Sequence, residues 1–118
     1  MHQTDIDMKT VNEVCKAAGV TRKTLYYYDK IALLKPFKRS GKQKAKLYSD
    51  TAVDTLKTIK QYQEAGLLLS EVRSILNQPE KTIEILLGVQ KRLFEQKQML
   101  EEQMLLLKEL IEEKKRSQ

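Results

Sequence analysis

The chain has one cysteine, one histidine, no tryptophan, two prolines and four glycines among 118 residues, and each scarcity removes a class of protein. Cys15 alone cannot close an internal disulfide, and with His2 it cannot supply the four ligands of a tetrahedral metal site. No redox pair, metal or cofactor is therefore expected within one chain. So little proline and glycine argues against collagen-like or low-complexity sequence, and 41% hydrophobic with 32% charged residues describes a folded, helix-leaning chain. No apolar run approaches the roughly 18 residues of a membrane span. The first residues, with Asp5 and Asp7 and no apolar block, do not form a secretory signal, so a cytoplasmic location is expected. Paired carboxylates, Ser/His or Cys/His arrangements and phosphate-cradling glycine loops are missing too. With so short a chain, an enzyme is the weakest reading.

What is present is unevenly placed. Residues 1 to 79 hold 14 Lys and Arg against 8 Asp and Glu, a net of +6, while residues 80 to 118 hold 8 of each. All five tyrosines (Tyr26, Tyr27, Tyr28, Tyr48 and Tyr62) lie in the basic part. Basic groups and aromatic hydroxyls sharing one module suit a polyanion partner.

Thr10 and Glu13 have capping-box spacing, and Val11, Val14, Cys15 and Ala18 then repeat at helical intervals, which predicts a short amphipathic helix. Gly19 fits the left-handed position after it, and Thr21 can cap a second helix over about residues 22 to 31. That helix turns Leu25, Tyr28 and Ile31 inward and leaves Arg22, Lys23, Tyr26 and Tyr27 outside. Two short helices joined this way form a helix-turn-helix. Pro36 then stops helical structure, and the stretch from Lys35 to Lys46 carries six basic residues and no acid: Lys35, Lys38, Arg39, Lys42, Lys44 and Lys46. Ser40 and Gly41 supply turn chemistry, so residues 36 to 39 and 46 to 48 are expected to pair as a small basic hairpin, a wing. Ser49 is placed to cap a third helix with Val53, Leu56 and Ile59 inward and Gly66 at its end. Ser70 is placed to cap a fourth, bearing Val72, Ile75 and Leu76, with Pro79 closing the module. Cys15 reads as a small core residue, His2 has no role, and Tyr48 reads equally well as core or surface.

Beyond Glu80 a heptad pattern places Leu86, Leu93, Leu100 and Leu107 at one repeat position, with Ile83, Met104 and Ile111 at the other. Leu87, Phe94, Leu105, Leu106 and Leu110 widen the stripe. Glu80 and Glu84 near the start, and Lys114, Lys115 and Arg116 near the end, complement the helix dipole. A rod of about 35 residues, roughly 50 Å long, cannot hide such a seam alone, and a homodimer is the simplest cover.

In this order of parts the chain resembles the MerR family of bacterial transcription regulators. The resemblance rests on the segment from Val11 to Asp29, then Leu33-Leu34-Lys35-Pro36, Leu47-Tyr48-Ser49, Leu56 to Lys60, Glu64-Ala65-Gly66-Leu67 and Leu69-Ser70-Glu71-Val72. It implies an all-α-dominated fold, a winged helix-turn-helix DNA-binding domain over residues 8–78 with a small β-hairpin wing. A dimerisation helix over 80–116 would follow, pairing as an antiparallel coiled coil. It also implies a homodimer that distorts the spacer of a pseudo-palindromic promoter site so that RNA polymerase can engage it. By position, Lys23 and Tyr27 match recognition-helix residues, Arg39 and Lys46 match wing residues, and Lys60 matches a lysine that meets backbone phosphate. Thr21 and Arg22 join Lys23 as readers of base edges, while Tyr26, Lys42 and Lys44 complete the expected DNA-facing set. Two positions depart from the family: Tyr26 stands where arginine is usual, and Lys44-Ala45 replaces a Gly-Tyr pair. No cysteine flanks the long helix, so the metal-sensing branch is a poor match. With no effector domain before Gln118, the regulator senses nothing itself, senses through a partner, or is a piece of a longer protein. The competing class is a coiled-coil adaptor whose basic module docks an acidic partner.

Overall fold

A computed structural model describes residues 8–40 and 45–118, which fall into two compact units, Met1–Ala65 and Gly66–Gln118. Lys42 and Lys44, two of the expected wing cations, lie outside the described residues.

The first unit runs β1 (Lys9–Thr10), α1 (Val11–Ala18), α2 (Arg22–Lys30), β2 (Lys38–Ser40), β3 (Ala45–Tyr48) and α3 (Thr51–Glu64). The opening capping box is complete: the Glu13 amide donates to Thr10 Oγ1 and the Thr10 amide to Glu13 Oε1. Gly19 takes φ 71°, and the amides of Gly19 and Val20 both donate to the Cys15 carbonyl. Thr21 caps α2 by accepting from the Thr24 amide. Val14, Cys15, Ala18, Leu25 and Tyr28 are buried, as are Val53, Leu56 and Ile59 of α3, at the helical spacing expected of them, while Val11 is half-buried. Ile31 is only half-buried, because α2 ends one residue before it.

The wing differs in detail from its expectation. Its strands are Lys38–Ser40 and Ala45–Tyr48, and β1 adds a third to give the antiparallel order β1-β3-β2. Lys9 pairs with Tyr48 and Thr10 with Leu47 on one side of β3, and Lys38, Arg39 and Ser40 pair with Leu47, Lys46 and Ala45 on the other. The central strand carries Tyr48 into the core, fully buried, which settles its two readings in favour of core. Asp50, rather than Ser49, holds the cap position of α3 and makes no side-chain cap bond. The Ser49 hydroxyl lies 2.9 Å from Thr51 Oγ1 instead.

In the second unit α4 (Leu69–Asn77) leads through a 3-10 turn (Pro79–Lys81) into α5 (Thr82–Arg116). Leu68, not Ser70, is the residue preceding α4, and its amide donates to Glu71 Oε1 at 2.8 Å. Ser70 sits inside the helix, its carbonyl accepting from the Ser74 hydroxyl. Pro79 opens the 3-10 turn and does not break the path into α5. Arg92 of α5 donates through both terminal nitrogens to the Glu71 carboxylate, at 2.7 and 3.0 Å, and to the Gly66 carbonyl at 2.9 Å. That fork ties α5 to the start of α4. Val72, Ile75 and Val89 are buried, but beyond Arg92 every α5 side chain is exposed.

Candidate nucleic-acid interface

In the first unit α2 has two unlike faces. Leu25, Tyr28 and Asp29 are buried, while Arg22, Lys23, Tyr26 and Tyr27 are exposed. The helix is anchored by the Tyr28 hydroxyl, which donates to Gln63 Oε1 of α3 at 2.7 Å, and burial pushes the Tyr28 pKa up. The Tyr27 ring lies tilted at 48° against Tyr28, centroids 6.3 Å apart, and leaves its other side to solvent. Thr21 is engaged locally, its hydroxyl donating to Thr24 Oγ1 as well as capping. Lys60 of α3 reaches the turn between the two helices, where Nζ donates to the Gly19 carbonyl at 3.3 Å. A Cβ on Gly19 would meet that nitrogen at 3.4 Å, so glycine serves both the left-handed backbone and the close approach of a cation.

The wing residues converge on one carboxylate. Asp29 is 5% exposed, yet Lys46 Nζ and Arg39 Nη2 each lie 2.9 Å from its Oδ2 and Lys35 Nζ lies 3.7 Å from Oδ1. Burial alone raises the Asp29 pKa, and the hydrogen bonds and charges of Lys46 and Arg39 more than reverse this, holding it below the usual carboxylate range. Lys46 Nζ also sits 4.4 Å from the centroid of the Tyr26 ring, within cation–π range. Beside this pair an open concavity of about 430 Å³ is lined by Thr10, Val11, Asn12, Arg22, Tyr26 and Lys46.

Of the residues expected to face DNA, Arg22, Lys23, Tyr26 and Tyr27 share the outer face of α2, with Arg39 and Lys46 on the adjoining wing and Lys60 at the turn. Asp29 was missed. Its signal was present: it lies four residues after Leu25 and directly after Tyr28, on the inward face of α2, and is the last acid before the basic run. On α5, Ile83, Leu93, Leu100, Met104, Leu107 and Ile111 are exposed, and Leu86 is half-buried. Among the described residues no cluster of three metal-ligating side chains occurs, and no helix is long and apolar enough to cross a membrane.

Comparison with known proteins agrees with this architecture. The chain is 43% identical over 70 residues to the HTH-type transcriptional activator TipA of Streptomyces coelicolor, a match covering 59% of this chain but only 27% of TipA. It thus spans about a quarter of that relative's length. The crystal structure of MtaN, the N-terminus of the Bacillus subtilis multidrug transporter activator, superposes with a TM-score of 0.77 at 27% identity, covering 87% of this chain and 97% of that one. HiNmlR, described as a MerR family regulator lacking the sensor domain and bound to promoter DNA, shares the fold. Its TM-score is 0.53 at 18% identity, covering 80% of this chain and 79% of that one. The family profile of MerR HTH regulatory proteins matches residues 9–79, more than half of the sequence, and the chain belongs to that family.

Proposed function

We propose that the chain is a sequence-specific DNA-binding transcriptional regulator that works as a homodimer on a pseudo-palindromic promoter site, in the cytoplasm. The observation that carries this reading is the outer face of α2, where Arg22, Lys23, Tyr26 and Tyr27 are exposed together beside a basic wing. Residues 8–78 form the DNA-binding domain in this reading. Lys23 and Arg22, near the start of α2, are placed to read base edges with Thr21, and Tyr26, Tyr27, Arg39, Lys42, Lys44, Lys46 and Lys60 meet the phosphate backbone. Residues 80–116 form the dimerisation helix, with Ile83, Leu86, Leu93, Leu100, Met104, Leu107 and Ile111 at the contact. Two modules so joined would enter successive major grooves, and spacer distortion would then bring RNA polymerase into register. Support comes from relatives: TipA is a transcriptional activator, and HiNmlR was crystallised on promoter DNA without a sensor domain.

The test is a salt titration of duplex binding with three variants. Lys23→Ala should weaken preference for a site selected from random DNA. Lys46→Ala and Lys60→Ala should weaken binding to every sequence and flatten the salt slope by about one each. Unchanged duplex affinity in all three would reject the reading.

A further inference from the structure

We infer that Asp29 is a positioning residue for the wing, holding Lys46 and Arg39 in the arrangement that meets DNA; the inference rests on the DNA-binding reading above. Arg39 and Lys46 are directly opposed across the β2–β3 ladder. Like charges in that relation repel, so the hairpin as a two-stranded ribbon works against itself. Asp29 resolves the conflict from a third element. A single oxygen, Oδ2, lies 2.9 Å from both cations, which places the carboxylate as a shared counter-charge. A buried carboxylate is costly unless it is paired, and an apolar residue on that inward face of α2 would bury more simply. What the apolar residue could not do is hold the two cations.

Tyr26 completes the device. It lies three residues before Asp29 on α2 and presents its ring to the same Lys46 nitrogen. An arginine there would put a further positive group against Lys46, whereas the tyrosine ring attracts it. Ring and carboxylate together fix the Lys46 ammonium to the recognition helix. Recognition helix and wing are thereby linked through side chains, and the two long cations are ordered before DNA arrives, which removes an entropic cost from binding.

The experiment turns on a conflict of signs. Asp29→Asn adds one unit of net positive charge and frees Lys46 and Arg39, with Lys35 at 3.7 Å losing its partner charge as well, so charge alone gives tighter binding to any duplex. Loss of positioning gives the opposite for a specific site. Full-length wild-type, Asp29→Asn and Asp29→Glu chains would be titrated with a duplex selected from a random pool and with a random-sequence duplex. Backbone hydrogen exchange would be followed in parallel without DNA. Asp29→Asn should lose about ten-fold affinity for the selected duplex, as expected for two side chains that must now be ordered on binding. Random-duplex affinity should hold or rise, and exchange should quicken at residues 38–40 and 45–48 but not in α1. Asp29→Glu should recover most of the specific affinity. Undiminished affinity of Asp29→Asn for the selected duplex, or unchanged wing exchange, overturns the assignment. A wild-type chain that binds no duplex rejects the DNA reading, and with it a positioning role toward DNA, while the exchange arm still reports whether the carboxylate orders the wing. Should Asp29→Asn not fold, Arg39→Gln breaks the same contact from its exposed end, and wing exchange decides.

Discussion

Tyr48 is fully buried in the central strand, and its hydroxyl is the one buried side-chain polar atom without a hydrogen-bond partner among the described residues. Burial, reinforced by the nearby Asp29 charge, pushes its pKa up to about 12. A buried hydroxyl that satisfies nothing is a net cost, so Tyr48→Phe should leave stability unchanged or raise it by up to about 1 kcal/mol, read from urea unfolding. A drop of that size would reveal a partner for the hydroxyl. Asp29 carries the opposite sign. Its folded pKa lies below the unfolded value of about 4, so its stabilisation is complete above that pH and is lost as pH falls through the lower folded value. Stability followed by circular dichroism should therefore decline as pH falls below about 4, and Asp29→Asn should remove that part of the decline. Neither residue was legible as a structural determinant from sequence. A tyrosine in a basic segment reads as core or surface alike, and an aspartate at a helix end reads as surface unless its inward register is taken seriously.

The elements were legible to the extent that they are local. Capping residues Thr10, Glu13, Thr21 and Gly19 announced α1 and α2, because the groups that satisfy a helix end lie within three or four residues of it. The wing was read only in outline, since strands of three and four residues get their register from partners distant in sequence. The two residues of β1 carry no periodic signal at all. α2 ends at Lys30, one residue before the sequence expectation, for a related reason. There the Leu33 amide donates to the Tyr28 carbonyl and the Ala32 amide to the Asp29 carbonyl, the Schellman pattern, with Ala32 at φ 58° where glycine is usual. An alanine in the left-handed region costs about 1–2 kcal/mol, against somewhat less for the added freedom of a glycine in the unfolded chain. Ala32→Gly should thus stabilise by about 0.5–1 kcal/mol, visible as a higher thermal midpoint.

At the scale of the whole molecule the dominant fact is the apolar surface of α5. Leu93, Leu100, Met104, Leu107 and Ile111 recur on one side of a 35-residue helix, all exposed. Contiguous exposed apolar surface of this kind marks an interaction site. Leu100→Glu and Leu107→Glu should each shift sedimentation toward the monomer. In wild type the thermal midpoint should rise with protein concentration, as it does when folding and association are linked. If both variants sediment as wild type, the seam does not join copies of the chain. The neutral charge balance of this region and its heptads were plain in the sequence, because a long helix repeats its signal many times over. Cys15, finally, makes the protein its own clock. Its thiol is the only one in the chain, is buried in the first unit, and is pushed by burial to a higher pKa. A thiol-specific reagent can reach it only when that unit opens, so the labelling rate counts openings of the helix-turn-helix without counting those of α5. Measured with and without duplex, the same rate would give the protection conferred by binding, with no probe added to the chain.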